Sequence, residues 1–158
     1  MARKTLITAV ATLAMSLALT APAAADKPII APSPFGEFTG EFCDEFPVRI
    51  RETTNRGKAI IFSSGATVVT GTLKVEVTNL ETGKTVSLNI SGPAMFSSDG
   101  TTLFGPGPWL LFGEPGFFGP GSPAILETNH GRLVIDLVSG EIVHRVGRRV
   151  DLCPLLAG

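Results

Sequence analysis

The sequence predicts a single all-β domain, either an antiparallel β-sandwich or a closed β-barrel of about eight to nine short strands. Three observations support this fold class. Apolar and polar residues alternate in short runs, which is the period of a half-buried strand. Turn signals recur roughly every 8–12 residues, a spacing typical of sandwiches and barrels. No segment after residue 25 shows the 3.6-residue apolar stripe of an amphipathic helix. The pattern does not separate a sandwich from a barrel.

The chain begins with the features of a secretory signal peptide. Arg3 and Lys4 are basic, residues 6–19 are apolar and uncharged, and an alanine run then provides an A-x-A cleavage site. We therefore predict that residues 1–25 are removed after Ala25 and that the mature protein is secreted.

The overall composition excludes some classes of function. The chain carries 13 basic and 14 acidic side chains, a formal net charge of −1. Nucleic-acid binding requires a basic surface, which this balance does not provide. The apolar run near the N-terminus is too short to stay in a bilayer as a spanning helix. We expect a protein that binds no nucleic acid and is not an integral membrane protein.

Two cysteines, Cys43 and Cys153, follow the signal peptide. An even cysteine count in an exported chain favours one disulfide, and the alternative is two free thiols. No C-x-x-C pair is present, so the sequence does not predict a metal or redox motif. The bridge would close a loop of about 110 residues and stabilise the fold by roughly 4–5 kcal/mol in the loop-entropy model.

The remaining elements follow from local patterns. Residues 26–42 are predicted to form an extended lead-in to the domain of residues 43–158, because their first part is rich in proline and has no periodicity. The clearest element is a β-hairpin within residues 67–91, whose turn contains Gly83 and its freedom to take positive φ. Asn129-His130-Gly131 predicts a further turn between two short strands.

Residues 104–123 read FGPGPWLLFGEPGFFGPGSP and do not resemble ordinary scaffold. Most of this segment is predicted to be loop, because proline is confined to the edges and bulges of sheets. One interpretation is an exposed binding loop built on Trp109, Phe112, Phe117 and Phe118. The favoured alternative is a crossover whose aromatic side chains complete the core. Trp109 and Phe112 suit the core better, and Phe117 and Phe118 suit exposure better.

Four polar residues late in the chain are further candidates: Asp136, His144, Arg145 and Arg149. If Asp136 is buried in its apolar strand it needs a partner, which His144 or Arg145 could supply; an exposed Asp136 is favoured. The basic residues could hold an anion or could protect an edge strand from pairing, and the second interpretation is favoured. The sequence contains no recognisable catalytic or metal-ligating motif, and we expect no cofactor.

Three runs of the chain, residues 40–48, 78–84 and 151–153, resemble small secreted proteins of actinobacteria. The resemblance covers most of the chain after residue 25, and its motifs are structural: a disulfide, a hairpin and a terminal strand. It implies an extracellular location and a compact β fold, and it transfers no active site.

We therefore expect a secreted, non-catalytic β-domain that binds a ligand or a protein partner through residues 104–123. Two alternatives stay open. The first is a small β-barrel enzyme of the isomerase or cyclase type, with Asp136, His144 or Arg145 directed into an apolar cavity. The second is an inhibitor of a secreted enzyme, with residues 104–123 as its rigid exposed loop.

Overall fold

The computed structural model describes residues 26–158, and within them it contains eleven β-strands and one short helix. The all-β fold class is confirmed. The predicted signal peptide lies outside the described residues. The elements are Ile29–Pro32 (β1), Glu37–Cys43 (β2), Phe46–Asn55 (β3), Lys58–Ile61 (β4), Thr67–Thr70 (β5), Leu73–Asn79 (β6), Thr85–Asn89 (β7), Ala94–Phe96 (β8), Thr102–Gly113 (β9), Ile125–Asp136 (β10), Ile142–Asp151 (β11) and Cys153–Leu156 (α1).

The strands form two antiparallel sheets. The large sheet has the order β1-β4-β5-β8-β9-β10-β11, and the small sheet has the order β2-β3-β6-β7. The closed-barrel alternative is wrong, because β1 and β11 remain as the unjoined edges of the large sheet within the described chain. The number of strands exceeds the prediction partly because residues 26–42, predicted as a lead-in, contribute β1 and most of β2.

A shared apolar core joins the two sheets. The fully buried side chains of β3 and β6 occupy alternating positions, as Val48 and Ile50 show, which confirms the predicted period of two. They belong to one cluster with Leu110 of β9 and Leu126 of β10 from the large sheet. Because burying one such side chain stabilises the fold by roughly 1.5–3 kcal/mol, this cluster is the main force that holds the sheets together.

Strand β9 occupies much of the segment that the sequence predicted to be loop, and it contains Pro106 and Pro108. Beyond Phe104, β9 pairs only with β10 among the described strands. The Pro108 carbonyl oxygen points away from β10 and accepts a hydrogen bond from the Gly92 amide at 3.0 Å. In an antiparallel strand the N and O atoms of one residue point to the same side, so the nitrogen of Pro108 also points away from β10. Pro106 lies two positions earlier and has the same orientation. Neither proline therefore removes a hydrogen bond to β10.

A row of three glycines crosses β9, β10 and β11: Gly107 pairs with Gly131, and Gly131 pairs with Gly147. Gly107 and Gly147 have φ angles of 102° and 113°, in the left-handed region that favours glycine. A Cβ atom on Gly131 or Gly147 would overlap the backbone of the neighbouring strand. The turn predicted at Asn129-His130-Gly131 is therefore wrong, because β10 continues through this point as one strand.

The strands bend at the glycine row, and the bend brings distant residues together. Arg145 of β11 lies opposite Leu133 of β10 in the register, six positions away from Glu127. Along a straight strand these six positions would span roughly 20 Å. Nevertheless the Arg145 guanidinium forms an ion pair with the Glu127 carboxylate. Both strands must therefore fold over at the glycine row, with this ion pair on the inner side.

The predicted disulfide is confirmed. Cys43 and Cys153 are bonded, with their Cα atoms 5.7 Å apart and 110 positions between them in the sequence. Cys43 ends β2 of the small sheet, and Cys153 begins α1, just after β11 of the large sheet. The bond therefore links the two sheets covalently.

Replacing Gly147 by alanine is expected to lower the free energy of unfolding by more than about 2 kcal/mol, because backbone overlap adds to the cost of a left-handed alanine. Gly100 is the matched control, since it has a φ of 72° but no atom within 4 Å of an added Cβ. Gly100→Ala should show only the conformational cost of roughly 1–2 kcal/mol. Urea unfolding measures the free energy of unfolding of both variants. Equal losses would show that the neighbouring strand does not crowd an added Cβ at position 147.

Replacing Cys43 and Cys153 together by alanine is expected to lower the free energy of unfolding by about 2–5 kcal/mol, because the unfolded chain gains the freedom of a long loop. Urea unfolding with and without reductant measures this effect. The natural chain should lose stability on reduction, whereas the double variant should not respond to reductant. A loss below about 1 kcal/mol would show that the bond does not restrain the unfolded chain.

Candidate functional site

A pocket with a volume of about 280 Å³ opens between the two sheets beside β9. We call it the apolar pocket. Its size lies just below the range of roughly 300–1,000 Å³ that is typical of small-molecule sites. Its walls come from both sheets and from the segments that connect them, and no residue that lines it within the described chain is charged. The larger apolar side chains, apart from Trp109, are Phe35, Val69, Leu73, Ile90, Phe96, Leu103, Leu110 and Phe112.

Ser33, Asn55, Thr70 and Ser91 are the polar residues that line the apolar pocket within the described chain, and the side chains of Asn55 and Ser91 are already engaged with the backbone. The Asn55 amide donates to the Ser33 carbonyl at 2.8 Å and accepts from the Gly57 amide at 2.7 Å. The Ser91 hydroxyl accepts a hydrogen bond from the Leu73 amide at 2.9 Å. These groups hold the connecting segments in place, and their hydrogen-bonding capacity is largely used within the protein.

The indole of Trp109 differs from these polar side chains in its hydrogen bonding. Its Nε1 atom is buried and has no hydrogen-bond partner within residues 26–158. The ring packs against the backbone at Gly92 and Gly105, where an added Cβ would collide with it. Glycine at both positions therefore creates the space for the indole. Buried indole N–H groups usually find an acceptor, so this donor is an unsatisfied group that the packing of the ring against the two glycines encloses.

Phe112 connects the apolar pocket to a cluster of aromatic rings. Its ring centroid lies 5.0 Å from that of Phe38, 5.3 Å from that of Phe42 and 6.3 Å from that of Phe35. Phe35 belongs to residues 33–36, which cross from β1 in the large sheet to β2 in the small sheet. Aromatic pairs of this kind contribute about 0.5–1.5 kcal/mol each beyond burial, so the cluster holds the Phe35 wall of the pocket in position.

The other two predicted aromatic residues lie elsewhere. Phe117 sits in the turn after β9 with 65% of its surface exposed. Phe118 is half-buried and packs edge-on against it, with ring centroids 5.0 Å apart. The segment of residues 104–123 thus divides into two parts. Trp109 and Phe112 line the apolar pocket, whereas Phe117 faces solvent.

A polar cleft of about 640 Å³ lies beside the disulfide, on the inner side of the bend in β10 and β11. Arg145 and Glu127 form the ion pair at this cleft, with side chains that are 21% and 16% exposed. Arg149 and Asp151 line it as well. In total, four carboxylates and two guanidinium groups line the cleft, so its net charge does not favour an anion.

The four polar residues singled out in the sequence are not gathered at one site. Arg145 and Arg149 line the polar cleft, but Asp136 and His144 line neither the cleft nor the apolar pocket. The Asp136 carboxylate accepts the Val138 amide at 2.8 Å and so closes the turn between β10 and β11. His144 is exposed on β11. Arg145 pairs with Glu127, a residue that the sequence analysis missed because their contact depends on the bend.

Two buried asparagines differ in how their side chains are satisfied. Asn79 is 1% exposed; its Oδ1 accepts from the Glu81 amide at 2.8 Å and its Nδ2 donates to the Leu156 carbonyl at 3.2 Å. It therefore ties the β6–β7 turn to α1. Asn129 is fully buried opposite Trp109 in the register, and its amide has no hydrogen-bond partner in the described part of the chain.

Two pKa shifts accompany hydrogen bonds away from the pocket and the cleft. The pKa of Asp99 is lowered to about 2, because the Ser97 hydroxyl and the Thr101 amide and hydroxyl donate to its charged form. The pKa of Arg51 is raised by its hydrogen bond to Glu76. Both interactions support the local backbone, one at a turn and one between neighbouring strands, and neither marks an acid–base centre.

Comparison with known proteins assigns no family. No protein-family model matches the chain, and no curated protein or solved structure is significantly similar to it. Across residues 26–158, no helix is long and apolar enough to cross a membrane. The same residues include no group of three or more His, Cys, Asp or Glu side chains placed to hold a metal ion. The functional argument therefore depends on the geometry of the site.

The two asparagines allow a matched test with one substitution. Asn79→Leu is expected to lower the free energy of unfolding by about 2–4 kcal/mol, because buried backbone groups lose their partners. Asn129→Leu should be neutral or should raise it by about 1 kcal/mol, because an unpaired buried amide is removed. Urea unfolding at neutral pH compares the two variants. A large loss at Asn129 would show that its amide is satisfied in the folded protein.

Proposed function

We propose that this protein is a secreted, non-catalytic binding domain of sandwich-like architecture that holds a small apolar ligand in the apolar pocket. The observation that carries the proposal is the lining of the apolar pocket, to which both sheets contribute large apolar side chains and no residue of the described chain contributes a charge. Small-molecule sites are commonly built in this way, from hydrophobic and aromatic side chains with a few placed polar groups.

The secreted and non-catalytic parts of the proposal have separate support. A disulfide is compatible with an extracellular location, where such bonds persist, and the N-terminal sequence pattern favours export. Ser33, Thr70 and Ser91 line the apolar pocket, but no charged residue of the described chain lines it to act as the acid or base that would activate a hydroxyl. Asp136, His144 and Arg145, on which the enzyme alternative depends, all lie outside it.

The expected affinity is modest. Burying an eight-carbon chain gains about 6 kcal/mol at roughly 0.8 kcal/mol per methylene. Association costs and imperfect fit remove part of this gain, so a Kd between about 100 µM and 1 mM is expected.

The single tryptophan provides a direct test, because the chain has no tyrosine and its indole emission comes from Trp109 alone. Titration with 1-bromooctane, whose bromine quenches indole emission on contact, should give saturable quenching. The apolar ligand is expected to enter the pocket beside Trp109, because removing its chain and the apolar walls from water lowers the free energy. Quenching that rises linearly without saturation would contradict the proposed function.

Neighbouring valines in β5 give a matched pair of variants for the same titration. Val69 lines the apolar pocket, whereas Val68 points to the opposite face of the strand. Val69→Phe should fill the pocket and raise the Kd obtained from the quenching curve at least tenfold. Val68→Phe adds the same volume elsewhere and should leave the binding curve unchanged. If both variants bind equally well, the ligand does not occupy this pocket.

A further inference from the structure

We infer that β11 binds an extended acidic segment of a partner protein, which pairs with it as an additional strand at the edge of the large sheet. In this mode of recognition, main-chain hydrogen bonds provide affinity and the side chains of the added strand provide specificity. The inference is separate from the proposed function, because no residue of β11 lines the apolar pocket.

Strand β11 is the longest open edge of the two sheets. It has 10 residues, whereas β1, β2 and β7, the other edge strands of the described chain, have 4, 7 and 5. It also exposes apolar surface, since Val143 is 57% exposed and Val146 is 47% exposed. An edge of this length is a template on which another strand can pair.

Half of the main-chain groups of β11 point away from the sheet. The Leu152 amide donates to the Leu126 carbonyl of β10 at 3.0 Å. The register continues without a shift from position 151 to position 144, so the even-numbered residues of this stretch direct their N–H and C=O groups to β10. The N–H and C=O groups of Arg145, Gly147 and Arg149 therefore point outward, where no strand of the described chain pairs with them.

The outer face of β10 and β11, opposite the polar cleft, carries basic side chains. His144 and Arg148 of β11 are exposed there. His130 and Arg132 of β10 pair with positions 148 and 146, so they share this face, and both are exposed. No acidic residue occurs at positions 128–135, at positions 142–150 or in β9. Carboxylates of an added strand would therefore form favourable cross-strand charge pairs on this face.

The same basic residues disfavour a second copy of this chain as the added strand. If two β11 strands paired antiparallel through Gly147, Arg145 of each copy would lie opposite Arg149 of the other. Like charges directly opposite each other destabilise a strand pair. The basic side chains thus protect the edge from pairing with itself and leave it open to an acidic strand.

The glycine row adds a requirement on the sequence of the partner. Each of β9, β10 and β11 has glycine where the large sheet bends, so an added strand fits best with glycine opposite Gly147. In antiparallel pairing, the residue before this glycine lies opposite Arg148, and the first and third residues after it lie opposite Val146 and His144. The matching segment therefore has an acidic residue, glycine, an apolar residue, any residue and a second acidic residue, in this order.

The first experiment measures amide hydrogen exchange of the natural chain by NMR, with a blocked peptide that contains this five-residue pattern. Saturating peptide should slow exchange of the Arg145, Gly147 and Arg149 amides roughly fivefold or more, because each gains an acceptor. The Val146 and Arg148 amides already point to β10 and should change less. Failure of the peptide to bind, or binding without this contrast, would overturn the inference.

The second experiment alters the main chain of the peptide. N-methylation of its glycine replaces an N–H that points to β11 by a methyl group and should weaken binding roughly tenfold. N-methylation of the next residue alters an N–H that points away from β11 and should leave the Kd within about threefold. Fluorescence anisotropy of labelled peptides measures both values. Equal losses would show attraction without strand pairing and would overturn the inference.

The third experiment alters the charge of the protein. Arg148→Glu should weaken binding of the peptide roughly tenfold or more, because a cross-strand charge pair becomes a like-charge pair. Arg56→Glu is the matched control, since Arg56 is exposed in the connection between β3 and β4, and this variant should bind within about twofold of the natural chain. Equal losses would overturn the inference. Binding of inorganic polyphosphate without binding of the peptide would also overturn it, by assigning the basic face to another class of polyanion.

Discussion

The unbroken pairing of β9 with β10 is the constraint on which the rest of the structure depends. The two strands pair along their full length, through two prolines and the glycine row. One set of alternate positions sends Leu110 and Leu126 into the core shared with the small sheet. The other set carries Trp109 opposite Asn129. A shift of one position in the β9–β10 register would exchange the two faces of a strand. The same register therefore determines both which side chains enter the core and where the indole lies.

The elements that could be predicted are those whose signals lie close together in the sequence. The β6–β7 hairpin and the disulfide were both identified, the first from alternation and turn residues and the second from the cysteine count. Strand β9 was missed because Pro106 and Pro108 count against a strand unless it is known that their side of β9 pairs with no other strand. The residues at positions 129–131 have the composition of a turn, but they lie at a bend inside a paired strand.

The candidate site was harder to predict than the fold, because its walls meet only after the sheets have formed. Val69 and Leu73 both lie in the range of the predicted hairpin, residues 67–91, but the chain crosses between them from the large sheet to the small sheet. Phe35 was placed in a lead-in with no role. Trp109 and Phe112 were identified because aromatic residues among glycines and prolines are conspicuous. The unpartnered state of the Trp109 indole depends on which atoms surround it, and a linear sequence does not contain that information.

The position of the disulfide gives the domain a mechanical property. Cys43 and Cys153 lie near the two ends of the described chain, so a force that pulls those ends apart passes through the sulfur–sulfur bond. Only the residues before Cys43, which include β1 and most of β2, and the short tail after Cys153 can be stretched while the bond is intact. The strands between the cysteines are shielded from tension. Shear on the chain ends would therefore peel away the first two strands, including the Phe35 wall of the pocket, and would leave the indole and its glycine neighbours in place.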